Sequence, residues 1–276
     1  MDKIAFNKIK KIQRVVLLSS LLLLIHGLCK AQIDFCGLKN TSFKVGEKIT
    51  YKAYYNMGMI WIAAGIANFT VHEDKVDGKD YFHVMGDGKT LKSYEWFYKV
   101  NDLYESWIDQ ETLLPKKFSR KVNEGNISFS SVAKFDQEEM KIYSDNKVYN
   151  SPKCVQDVLS SIYYARNIDY NKYSPGAKIP FNMFLDDKVY NLYIKYLGKE
   201  IITTRYGTFK TIKIKPLLIE GTIFKDGDKM TVWVSDDANH IPVRIESPII
   251  IGSIKVDMLS YRNLRSPLSS LIRKGS

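Results

Sequence analysis

The chain has 276 residues, a formal charge of +11, a hydrophobic fraction of 45% and three cysteines. Its Lys and Arg residues are scattered and form no basic patch or stripe, which excludes the usual electrostatic footprint of nucleic-acid binding. No stretch reads as a linker, a low-complexity run or an internal repeat.

The chain opens with Lys3, Lys8, Lys10, Lys11 and Arg14 against one acid, Asp2. Residues 15–25 follow without a charge, and then Cys29-Lys30-Ala31. A basic start, a short apolar core and a small-x-small triplet are the three parts of a secretory signal peptide. The apolar core is about eleven residues, short of the roughly 20 that span a bilayer. The expected organisation is a signal peptide over residues 1–31 and a single β-rich domain over 32–276, with no transmembrane span after cleavage. An uncleaved anchor, or a lipid on Cys29, are the competing readings; Leu28 stands where a lipoprotein needs a small residue. Cleavage after Ala31 leaves 245 residues and takes the charge from +11 to +6.

Cys36 and Cys154 remain after cleavage. In an oxidising compartment an even pair favours a disulfide; the alternative is two separate buried thiols. Neither has a Cys or His at metal-ligand spacing.

Alternation of period two dominates the rest of the chain. It runs through Ile49, Tyr51, Ala53 and Tyr55, then Tyr190, Leu192, Ile194 and Tyr196. It continues in Phe209, Ile212 and Ile214, in Met230, Val232 and Val234, and in Ile254, Val256 and Met258. Each run argues a strand with one buried face. Asp77-Gly78, Glu124-Gly125-Asn126, Asp145-Asn146 and Asp226-Gly227-Asp228 punctuate the runs as hairpin turns do. About twelve strands are expected, arranged as a large antiparallel, partly closed β-barrel or strongly curved sheet. One segment breaks the pattern. Apolar residues at 155, 158, 159, 162 and 163 form one helical stripe, so a helix is expected over about residues 155–167, packed on the sheet or plugging the open end of a barrel.

Catalytic signals are weak, and no catalytic residue, metal ligand or cofactor is assigned. Met85-Gly86-Asp87-Gly88-Lys89-Thr90 lacks the earlier glycine of a phosphate loop, since position 83 is His83. His72, His83 and His240 are not spaced as metal ligands, although His72 and His83 flank one turn and should be neighbours. The acid pairs Glu138-Glu139, Asp186-Asp187 and Asp236-Asp237 fall at turns. Residues 57–66 are apolar where a half-buried strand should alternate. With the aromatics of residues 94–107 they could form a groove for an apolar ligand, or simply core. The candidate ligand-binding residues are Met57, Met59, Trp61, Tyr94, Trp96, Phe97, Tyr104 and Trp107.

Several stretches carry a resemblance. They include Phe43-Lys44-Val45-Gly46-Glu47-Lys48, Phe97-Tyr98-Lys99-Val100-Asn101-Asp102-Leu103-Tyr104-Glu105, and Leu113-Leu114-Pro115. Asp157-Val158-Leu159-Ser160-Ser161-Ile162-Tyr163-Tyr164-Ala165-Arg166, Tyr206-Gly207-Thr208-Phe209 and Val232-Trp233-Val234-Ser235 with Ile241-Pro242-Val243-Arg244 follow in order. Together they span nearly the whole chain after the leader, which resembles the bacterial family known as domain of unknown function 3108. The resemblance implies an exported protein of Gram-negative bacteria with a β-barrel-like fold. It carries no catalytic residues, because the family has no established activity.

The expected role is therefore that of a periplasmic or envelope module binding an apolar or lipid-like ligand. A structural protein that docks another envelope protein is the alternative, and a hydrolase with unrecognised polar residues the remote one.

Overall fold

A computed structural model of the chain describes residues 36–57, 60–96, 98–218, 229–249 and 252–275. The expected signal peptide at 1–31, the expected turn at 226–228 and the candidates Met59 and Phe97 lie outside them, as does the side chain of Met57.

The alternating runs form fifteen strands among the described residues. They are β1 (Lys48–Met57), β2 (Ile60–Val76), β3 (Lys79–Thr90), β4 (Asn101–Asp109), β5 (Pro115–Glu124), β6 (Ile127–Asp136), β7 (Lys141–Ser144), β8 (Lys147–Asn150) and β9 (Lys178–Leu185). The rest are β10 (Lys188–Thr203), β11 (Gly207–Pro216), β12 (Thr231–Ser235), β13 (Pro242–Pro248), β14 (Ser253–Arg262) and β15 (Leu271–Lys274). All belong to one antiparallel sheet in the order β8-β7-β6-β5-β4-β3-β2-β1-β14-β13-β12-β11-β10-β9, with β15 added on β11. The step from β1 to β14 joins the two ends of the chain, so two meanders become one sheet. Asp77 and Gly78 have φ of 51° and 81°, the left-handed pair that a tight hairpin turn requires. The turn makes His72 and His83 direct register partners.

The sheet curls but does not close into a barrel. Its ends meet through side chains: Arg120 of β5 pairs with Asp186 in the β9–β10 turn, and Ser144 donates to Asp187 at 3.0 Å. Gln156 adds a short parallel bridge to β9, donating from its N–H to Asn182 and accepting from Phe184 N–H, both at 2.9 Å. That backbone segment fills part of the gap between the edges.

Helix α1 (Val158–Ala165) packs on β3, β4 and β9. These strands belong to opposite limbs of the curl, so the helix lies inside it. It is shorter than the apolar stripe suggests. Asp157 caps it: its carboxylate accepts from Ser160 N–H at 2.8 Å, while Ser160 Oγ accepts from Asp157 N–H at 2.8 Å. A reciprocal box of this kind fixes a helix start and leaves Val155 and Gln156 in the extended bridge. Close packing of α1 depends on Gly86 of β3, where an added Cβ would meet Phe69 at 3.3 Å and Leu159 at 3.4 Å. Around α1 sits the main core, with Phe43, Val71, Val84, Ile108, Tyr163 and Tyr164 among its fully buried members.

Cys36 and Cys154 are joined by a disulfide with Cα atoms 5.6 Å apart. No helix among the described residues is long and apolar enough to cross a membrane.

Candidate functional site

Between α1 and the inner face of the curl lies a cavity of about 410 Å³. The inward residues of the alternating runs build most of its wall: Phe181, Leu192, Ile214, Val232, Ile245 and Val256. Val158 and Ile162 of α1 close one side. Ile49, Tyr51 and Arg166 mark one end, and Leu217, Leu218 and Met230 the other.

Polar groups on this wall are turned into the protein. Ser161 Oγ donates to Val158 O at 2.8 Å, and Tyr170 OH to Ala165 O at 3.1 Å. Burial drives the Tyr51 and Tyr163 hydroxyls far above the usual phenol range, so both stay neutral. Among the described residues Arg166 carries the one charge on the wall, and its neighbours hold it. Its Nη1 and Nη2 donate to the two Glu47 oxygens at 2.6 and 2.9 Å, Nε to Asn239 O at 3.0 Å, and Nη2 to Ser42 O at 3.1 Å. Burial alone would lower its pKa, but the Glu47 carboxylate more than offsets this and raises it. The Arg166 carbonyl also accepts, from Ser42 Oγ at 2.6 Å and from His240 Nδ1 at 2.7 Å. Four of its five guanidinium protons are engaged in these bonds, and its charge is matched by Glu47.

At the other end of α1, Asp157 is fully buried, and its pKa is pushed up to about 6 by that burial. Hydrogen bonds from Ser106 Oγ at 2.6 Å and from the Ser160 and Leu159 backbone act against the rise. The Gln156 side chain beside it is buried without a hydrogen-bond partner.

The structure distributes the candidate residues over three places. Trp61 lies at the start of β2, 39% exposed, with Lys255 Nζ 4.3 Å from its ring centre. It faces outward because Ala64 is an extra residue opposite β1, where the pairing steps from Ala53↔Gly65 to Tyr54↔Ala63. Such a bulge reverses the pleat, which is why residues 57–66 show no single alternation. Tyr94 sits in the 3-10 turn Lys92–Tyr94, and Trp96, 82% exposed, donates from Nε1 to Ser93 O at 3.0 Å. In β4 the alternation separates the last two. Tyr104 points inward onto Phe118, at 6.2 Å between ring centres. Trp107 is buried on the outer face, stacked on His83 at 4.3 Å, under Lys117 at 4.2 Å, with its Nε1 donating to Asp74 at 2.7 Å. The cavity wall is built from other residues.

Sequence reasoning missed the Glu47–Arg166 pair. The signal was present: an arginine follows the apolar stripe of α1, and Gly46-Glu47 stands just before β1. A hollow of about 550 Å³ lies by the ends of β3 and β5 and the start of β4, but Lys99, Asp102 and Lys121 line it. Among the described residues, no three His, Cys, Asp or Glu side chains are grouped to hold a metal ion.

The profile of the family described as "Protein of unknown function (DUF3108)" matches residues 50–259. The chain belongs to this family. The DUF3108 match thus runs from within β1 to within β14 and takes in α1 and the cavity wall apart from Ile49. Among solved structures, the chain is similar to a beta-barrel-like protein of DUF1849 from Brucella abortus, at 8% identity and a TM-score of 0.51, covering 80% of this chain and 99% of that one. This similarity is one of fold. A protein described as exported, with a YmcC-like fold, from Bacteroides fragilis aligns at 12% identity over 82% and 100% of the two chains, with a TM-score of 0.34. A protein described as a lipoprotein from Parabacteroides distasonis aligns at 13% identity over 81% and 100%, with a TM-score of 0.37. No curated protein matches the sequence.

Proposed function

We propose that this DUF3108 protein is an exported envelope module that holds an apolar, lipid-like ligand inside its curled sheet. The cavity carries the reading. It lies inside the fold, its wall is almost wholly hydrocarbon, and its volume suits a small ligand or one acyl-type chain. The Arg166 charge is matched by Glu47, which favours hydrocarbon inside the cavity and places any polar headgroup at the Leu217–Met230 end. The leader-like start of the sequence and the Cys36–Cys154 disulfide fit an oxidising compartment, and the periplasm or envelope of a Gram-negative bacterium is the compartment we propose.

Native mass spectrometry of protein purified from its source envelope tests this. A co-purifying lipid-like mass, lost on denaturation, supports it. Protein that carries no such mass and takes up no acyl probe refutes it.

A second reading, docking of another envelope protein, has one observation in its favour. Strand β7 pairs only with residues 133–136 of β6, so residues 127–132 present an edge with no strand partner among the described residues. That edge reads Ile-Ser-Phe-Ser-Ser-Val, uncharged and largely exposed. Uncharged open edges are templates for strand addition. If this is the function, Val132→Lys should remove a stoichiometric co-purifying protein and leave any bound lipid in place.

A further inference from the structure

The Leu217–Met230 end of the cavity shares its side of the sheet with three neighbouring chain connections. Pairings Met57↔Ile60, Asn56↔Ser253 and Pro248↔Ser253 set the β1–β2 and β13–β14 connections side by side. Thr231↔Glu246 places the start of β12 next to them. On the other flank, Leu91 N–H donates to Ala64 O at 2.8 Å and brings up the β3–β4 connection.

This rim carries an unusual surface. The protein has four tryptophans. Trp107 and Trp233 are buried, and the two exposed ones, Trp61 and Trp96, are both on the rim. Ile60, 66% exposed, and the exposed Tyr98 stand with them. Cations accompany the rings: Lys255 lies over Trp61, and Lys92 and Lys99 are exposed on either side of Trp96. Two acids stand among them: Glu95, the one acid in residues 91–100, and Glu246, opposite Lys255 across β13 and β14.

We infer that this rim docks on an anionic lipid bilayer, with Trp61, Trp96 and Ile60 entering the interfacial layer and Lys92, Lys99 and Lys255 facing the headgroups. Tryptophan and lysine together are the side chains that settle at that depth: the indole is apolar with one polar edge, and the lysine stem can lie along it while the ammonium reaches phosphate. Charge complementarity selects a bilayer bearing acidic lipids. The geometry stands without the ligand reading, but its purpose rests on that reading. A hydrocarbon ligand is scarcely soluble in water, so a cavity whose Leu217–Met230 end lies on the docked side is placed to exchange it with the membrane.

The test is flotation with phosphatidylcholine vesicles, with and without phosphatidylglycerol. It compares the wild-type chain, Trp61→Ser/Trp96→Ser and Lys92→Glu/Lys99→Glu. All three share one N-terminal segment, so only differences between them are read. The wild type should prefer the acidic vesicles and lose that preference in high salt. Either double variant should bind them about tenfold or more weakly, given about fivefold per surface lysine. The tryptophan variant should keep its melting temperature and its uptake of a soluble acyl probe. Equal partitioning of all three proteins overturns the inference, and so does a rim variant that loses a stoichiometric protein partner instead of vesicles. If flotation fails while probe uptake persists, the rim proposal falls alone. If rim-dependent flotation holds while no probe or lipid enters the cavity, the ligand reading falls alone.

Discussion

Glu47 and Arg166, 119 residues apart in sequence, form a buried bidentate ion pair with contacts of 2.6 and 2.9 Å. It ties the start of β1 to the end of α1 and places one rigid end on the cavity. Removing either partner leaves an uncompensated buried charge, which costs about 3–5 kcal/mol. Urea unfolding of Arg166→Ala and Glu47→Gln should show a loss of that size in each. The double variant should lose much less than the sum, because neither charge is then left alone. Additive losses would mean that the two groups act independently.

Asp157 gives the fold a pH dependence of known sign. Its pKa is about 6 when folded, against an ordinary value of 3.8. Below about pH 4 it is protonated in both states and costs nothing. Between about pH 4 and 6 the unfolded chain gives up this proton while the folded protein keeps it, so stability falls across that window and levels off above it, where the folded protein buries the charge. The expected loss is on the order of 3 kcal/mol, since each tenfold change in proton affinity between the folded and unfolded chain is worth about 1.4 kcal/mol. Asp157→Asn keeps an acceptor for the cap and should flatten the stability profile between pH 4 and 6. A profile identical to wild type would show that another group sets it.

Alternation along β10 and β11 already tells which residues face inward, because Leu192, Ile194, Ile212 and Ile214 follow a strict pleat. The same holds for the Asp77-Gly78 turn, whose residue types demand its geometry. Three features were hidden, each for a physical reason. The reversal at Ala64 is imposed by the register of β1 and β3, not by residues 57–66 themselves. The helix starts at Val158, not residue 155, because a local cap outcompetes the apolar stripe. The cavity depends on how far the sheet curls before its edges meet at Arg120–Asp186 and Ser144–Asp187, contacts between residues 43 or more positions apart.

The two kinds of tryptophan should respond differently to truncation. Trp107→Ala removes a buried ring stacked on His83 and should cost about 3–5 kcal/mol. Trp61→Ser, at the exposed rim, should change stability by less than about 1 kcal/mol. Thermal melts of the two variants decide it; a large loss at Trp61 would make it core.

The Cys36–Cys154 bridge closes a separation of 118 residues. A loop of that length is worth about 5 kcal/mol in the loop-entropy model, and typical measured losses are about 2–5. Cys36→Ser/Cys154→Ser should lower the urea midpoint accordingly, and a reducing agent should do the same to the wild type alone. No change with either would show that the bridge is not formed in the purified protein.

The most direct test of the ligand account is titration of a fluorescent acyl probe into wild type and Ile214→Trp, with the melting temperature of each. Ile214 is buried on the cavity wall, and a larger ring there fills space that the ligand would occupy. The account predicts that Ile214→Trp abolishes saturable probe binding and leaves the melting temperature unchanged or higher. Unchanged probe binding, together with the loss of about 1–3 kcal/mol that overpacking a filled core brings, would contradict it.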